Sequence, residues 1–207
     1  ESVFRLYGLP VFISKKTDIM QKPVIALVSE AMKIAAGDWL YSNIFRYLKT
    51  NLTGMSFQDM DLLENYCVTW NLRGQAVWTR EEPWHMNPRG YVTDSTETDR
   101  QGAQYVDRLR RMVANPLKNL SDNGKQAKTA KEQVKALYSF LEEIALAERL
   151  EQKSRQLKSS GELQLADEYT QLWDIVVDSM EQCYETLGDT PMGWDEFADL
   201  FDLLLSQ

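Results

Sequence analysis

With a single histidine, His85, and two cysteines, Cys67 and Cys183, the 207-residue chain has little of what most reactive sites need. One imidazole cannot supply a histidine-based metal site, and His85 reads as an ordinary polar residue in a tryptophan-rich loop. The cysteines form no CxxC and lie far apart, which gives no support to a disulfide framework or a zinc ribbon. Both fall on apolar helical faces, where a thiol is usually a small buried hydrophobe. Neither GxxxxGK[ST] nor GxGxxG occurs, so this stretch has no phosphate-cradling loop of its own. Charges interrupt every apolar run well before the roughly 18 residues a membrane span needs, and the reducing cytoplasm is the expected compartment. Basic residues are outnumbered 23 to 31, giving a net charge of −8 and a pI near 4.8. That balance argues against a surface that is basic throughout, while leaving room for a local basic patch.

What is present is helical periodicity. "LPVFIS" at 9–14 reads as one short strand. From Pro23, Val24, Leu27, Val28, Ala31, Met32 and Ala35 keep helical spacing up to Gly37. A second helix starts near Tyr41, carries Phe45, Leu48 and Leu52, and closes near Gly54. A third is capped by Ser56, with Asp59 three residues on. Residues 71–98 lack any period and are predicted to form a long ordered loop anchored by Trp78, Trp84 and Tyr91. Helical patterning resumes over 99–114 and is expected to break at Asn115-Pro116. A polar stretch at 121–128 precedes a long helix with Val134, Leu137, Tyr138, Leu141, Ile144 and Ala145 inward, leaving through "KSSGE" at 158–162. Helices over 162–187 and from Trp194 complete the chain. The expected fold is mainly α, an irregular domain of about six to eight helices with one or two short N-terminal strands. The apolar pattern begins at Val3 and runs to Leu205, so the chain is expected to be a piece of a longer protein.

Acidic pairs such as Glu81-Glu82, Glu142-Glu143 and Asp195-Glu196 read as solvated surface. The cations are the more informative set. Arg46 and Lys49 sit within "IFRYLKTNLTG", Arg108 and Arg111 share a face of "DRLRRM", and Lys128 and Lys131 belong to a stripe with Lys125 and Lys135. Such stripes can neutralise phosphates, although solvated helix faces and helix C-termini carry cations without any ligand.

"IFRYLKTNLTGMSFQDMDLLENYCVTWNLRGQAVWTREEPW", residues 44–84, resembles a stretch of the AddB component of the AddAB (RexAB-like) ATP-dependent helicase and nuclease. "GLPVFIS", "KPVIALVSEAM" and "SGELQLADEYTQLWDIVVDSMEQCYETLGD" extend the resemblance over nearly the whole chain. It implies that 1–36 is the edge of the second RecA-like helicase domain and 37–207 a helical 2B-type insertion, the two forming one compact unit. It also implies that the parent's ATP, Mg2+ and iron–sulfur cluster are bound outside this stretch, leaving no cofactor here. The implied partners are an AddA-like helicase/nuclease protein and double-stranded DNA ends, with no membrane, in a bacterial cytoplasm. The expected role is a non-catalytic structural segment in DNA repair and recombination that contacts DNA through Arg46, Lys49, Arg108, Arg111, Lys128 and Lys131. The alternative is a helical protein-interaction module that touches no nucleic acid. Convergence of these cations on one face favours DNA; dispersal among acids favours a protein partner.

Overall fold

The computed structural model describes residues 19–37, 39–92 and 94–206, so the strand expected at 9–14 lies outside the described residues. Within them the chain is mainly α-helical. After a 3-10 turn, α1 (Pro23–Ala36) opens with Pro at N1 and ends at Gly37, whose φ of 128° suits glycine. Eleven of its fourteen residues are buried. A helix buried on nearly every side belongs in an interior, and α1 packs against α2 (Tyr41–Leu48), α5 (Glu97–Gln126), α8 (Leu163–Leu187) and α9 (Trp194–Leu205). One continuous hydrophobic core runs from Val24 to Leu205.

Several boundaries differ from the sequence reading. Helix α2 stops at Leu48 rather than near Gly54, because Asn51 turns left-handed at φ 59°, yet Leu52 is still buried. Helix α3 (Phe57–Thr69) starts as expected, with the Asp59 amide donating to Ser56 Oγ. The segment 71–98 contains a short helix, α4 (Gln75–Thr79), and is anchored by Trp78 and Trp84, each 1% exposed. Tyr91 is not an anchor: it is 85% exposed and lies against the Trp70 ring from outside.

Helix α5 does not break at Asn115-Pro116 but continues through it for 30 residues. An internal proline costs about 3 kcal/mol. Burial on both sides of it, by Val113, Ala114, Leu117 and Leu120, together with the Ser121 hydroxyl donating to Ala35 O, offsets that cost. The long helix expected after residue 128 is two: α6 (Ala130–Glu143) and α7 (Leu146–Ser159), split by Ala145 at φ 50°. No glycine or proline marks this break. Arg149 Nε donates to Ile144 O at 2.7 Å and so satisfies a carbonyl that the kink exposes. Tyr138 also departs from expectation, being 52% exposed rather than inward.

The α5–α6 and α8–α9 connections are tied together. Ala130 N donates to Thr190 O and Met192 N to Lys128 O, while buried Gln133 donates through Nε2 to Gly124 O and Met192 O. Beside them the Trp194 ring at the start of α9 lies over Gly124 of α5, where a Cβ would lie 2.3 Å from Trp194 Cε3. The Trp194 indole is 6% exposed and donates to Met32 O, so it cannot retreat. Gly124→Ala is therefore expected to destabilise by about 1–3 kcal/mol despite the better helix propensity of alanine, read as a lower denaturation midpoint.

Candidate functional site

The six cations fall on different elements with different neighbours. Arg46 Nη1 lies 3.3 Å from Glu30 Oε1 on α1, and Lys49 donates to Glu64 Oε1 on α3 at 2.8 Å. Glu30 is 2% exposed and also has Lys33 at 3.6 Å, so Arg46 compensates a carboxylate that burial would otherwise penalise. Glu64 also accepts from the Tyr41 hydroxyl, a hydrogen bond that pushes Tyr41 up to about 12. Partial burial pushes the Glu64 carboxyl up, but the bonds from Lys49 and Tyr41 outweigh it and hold the group below its ordinary value. On α5, Arg111 Nε donates to Asp107 Oδ2 at 2.8 Å and its Nη2 to Glu81 O at 2.6 Å. The Arg108 guanidinium sits over Tyr105, 5.3 Å from the ring centroid. Lys128 Nζ donates to Lys125 O, and Lys131 Nζ lies 4.7 Å from the centre of the Tyr184 ring on α8. Arg46, Lys49 and Arg111 are thus paired with carboxylates, Arg108 and Lys131 lie on tyrosines, and Lys128 is held by a backbone carbonyl.

Two other arginines have structural partners that the sequence did not signal clearly. Arg110 is 1% exposed; its Nε donates to Asp107 Oδ1, its Nη1 to the Trp78 and Arg80 carbonyls, and its guanidinium lies 5.3 Å from the Trp84 ring centre. Burial lowers its proton affinity, while Asp107 opposes that. Arg149 lies flat against Gly54, where any Cβ would meet Nη1 at 1.6 Å. The glycine at the end of "NLTG", at φ 80°, is the signal for that packing. Arg111 and Arg149 together line a cavity of about 310 Å3 with Tyr47, Thr53, Asn115 and Glu143.

A second feature is the distribution of charge along the chain. Between Leu163 and Leu205, the span of α8 and α9, there are eleven carboxylates and no Lys, Arg or His, so all 23 basic residues lie elsewhere. Among the described residues, ion pairs reach two of these eleven: Lys22 pairs with Glu168, and Lys33 with Asp202. Counting acids and bases over the whole chain hides this segregation; counting them helix by helix finds it.

Redox and nucleophilic chemistry has weak footing. Burial pushes the Cys67 thiol up to about 12 and raises Cys183 as well, so both stay protonated at neutral pH. His85 is exposed, with Nδ1 3.3 Å from Pro83 O. Among the described residues no group of three or more His, Cys, Asp or Glu side chains is placed to hold a metal, and no helix is long and apolar enough to cross a membrane.

Fold and surface together define a helical segment with fixed cations and one strongly acidic flank. No protein-family model matches the chain. It is 35% identical over 204 residues to the B subunit of the ATP-dependent helicase/deoxyribonuclease of Acetivibrio thermocellus and 33% identical over 209 residues to that of Clostridium kluyveri. The corresponding protein of Desulforudis audaxviator is 35% identical over 211 residues. These alignments take in 98%, 100% and 97% of this chain and 18% of each relative. The chain belongs to the family of ATP-dependent helicase/deoxyribonuclease B subunits, and it spans about a fifth of the length of the relatives it matches.

Proposed function

We propose that the chain is a non-catalytic scaffold within the B subunit of a helicase/deoxyribonuclease that acts in double-strand-break repair and recombination in the bacterial cytoplasm. Its role is to hold neighbouring parts of the parent protein in register and to present a docking face to the companion, AddA-like protein. ATP, Mg2+, the iron–sulfur cluster and the DNA ends are engaged by other parts of that assembly.

The observation that carries this reading is the treatment of charge. Arg46, Lys49 and Arg111 stay 40–56% exposed but sit against Glu30, Glu64 and Asp107, whose carboxylates offset their charge and would repel a phosphate. Lys131 leans on α8, a helix that carries six carboxylates and no cation, so a duplex approaching it there meets repulsion. Contact with DNA through the six cations is the weaker reading on both counts.

Incubation of the purified chain with linear duplex DNA, ATP and Mg2+ tests the non-catalytic part. Neither ATP hydrolysis nor DNA degradation above a buffer control is expected. Magnesium-dependent cleavage that co-purifies with the chain through several columns would overturn it.

A further inference from the structure

We infer that the groove between α6 and α8 is a docking site for a basic amphipathic helix of a partner protein. The groove encloses about 680 Å3. Its floor is Val134 from α6 with Val177 and Met180 from α8, and its walls are the rings of Tyr138, Trp173 and Tyr184. On α8 the apolar positions 173, 177, 180 and 184 follow helical spacing, forming a stripe about 16 Å long at roughly 1.5 Å per residue. That length accepts about three turns of a second helix, the geometry of helix-in-groove recognition. Tyr138 and Tyr184 are 52% and 36% exposed, which leaves ring surface open to an occupant.

The rim selects the occupant. Glu181 and Glu185 stand four residues apart along the α8 edge, and Glu142 stands on the α6 edge, where its carboxylate raises the pKa of the Tyr138 hydroxyl. Lys135 lines the α6 edge as well, and Lys131 sits over Tyr184 at one end. The α8 side is therefore acidic over the turn from Glu181 to Glu185. A fitting helix carries an apolar stripe for the aromatic walls and two Lys or Arg residues, four apart, on the flank that meets Glu181 and Glu185. A phosphate backbone or an anionic membrane surface is repelled by the same acids. This deepens the scaffold reading and rests on it for the partner being a protein.

The test uses the 207-residue chain and three fluorescein-labelled 16-residue helical peptides. One has leucines at positions i, i+4, i+7 and i+11 with flanking arginines, the second replaces those arginines by glutamates, and the third keeps the arginines but replaces the leucines by serines. Fluorescence anisotropy is expected to show saturable binding of the first peptide, with the other two at least about tenfold weaker. Glu181→Lys with Glu185→Lys is expected to weaken the first peptide about tenfold and to strengthen the glutamate peptide, while thermal melting confirms that the variant is folded. Tyr184→Ala is expected to weaken the first peptide without changing the order of the three. Equal binding of the leucine and serine peptides, or no effect of the double reversal, overturns the proposal. So does a chain that dimerises in sedimentation with Trp173 shielded from quenchers, because a second copy then fills the groove. DNA cleavage by the chain strikes at the scaffold reading instead, so the two failures are distinguishable.

Discussion

Asp107→Ala is expected to lower the stability of the chain by about 3–5 kcal/mol, the usual effect of leaving a buried charge without its partner. Asp107 is 6% exposed and accepts from Arg110 Nε, Arg111 Nε and the Trp84 amide, each at 2.8 or 2.9 Å. Its loss strands the Arg110 guanidinium, which keeps only the Trp78 and Arg80 carbonyls, and leaves the Trp84 N–H without an acceptor. Denaturant unfolding followed by circular dichroism reads the effect. In the double variant Asp107→Ala, Arg110→Met much of the loss is expected to return, because the stranded charge has gone with its partner. Burial pushes the Asp107 carboxyl up, but the bonds from Arg111, Trp84 and Arg110 outweigh it and hold the group below its ordinary value. Asp99, bonded by Arg89 and capping α5 through Thr96, is held well below the carboxylate range too. Carboxyls depressed in the folded state add stability that is complete above about pH 4 and is lost as pH falls towards their folded values. The acid limb of the stability profile is therefore expected to flatten in Asp107→Ala.

Trp84→Ala carries the second large effect, about 3–5 kcal/mol. The indole is 1% exposed, stacks on Tyr66 at 5.7 Å, meets Trp78 edge-on at 5.3 Å, and donates from Nε1 to Val77 O. It also forms the π surface against Arg110. Removing it opens a cavity beside a buried cation and detaches the segment at 71–98 from α3 and α5. Limited proteolysis is expected to cut that segment first in the variant, with the remaining helices persisting longer. Trp84→Phe is expected to cost less than Trp84→Ala, since one ring stays in place while the Nε1 bond and part of the buried ring volume are lost.

Most of the helices and their order were legible from periodicity and caps, apart from the short α4 and the division between α6 and α7. Pro23, Gly37, Ser56 and the apolar spacing of α1, α3, α8 and α9 all act locally, and local rules read them correctly. The misses came from tertiary contacts. Pro116 is a breaker by local rule, but buried residues on both sides of it carry α5 onward. The Ala145 kink has no breaker in its sequence and depends on a bond from Arg149 four residues later. The cations show the same limit. Helical spacing put Arg108 and Arg111 on one face, but spacing does not reveal that Glu30, Glu64 and Asp107, from elsewhere in the fold, stand opposite Arg46, Lys49 and Arg111. The acidic run of α8 and α9 was legible all along, and averaging it into the net charge of the chain concealed it.

The choice between a DNA-contacting face and a protein-docking scaffold is settled most directly by one titration. Anisotropy of a labelled blunt-ended duplex is measured against the purified chain at a series of salt concentrations. A segment whose cations are mostly engaged by carboxylates, tyrosines and a backbone carbonyl is expected to show no binding tighter than about 10−4 M, with affinity nearly independent of salt. Binding in the micromolar range, with a log–log salt slope of several units that falls in Arg46→Ala and Lys49→Ala, would contradict it and place the duplex on α2.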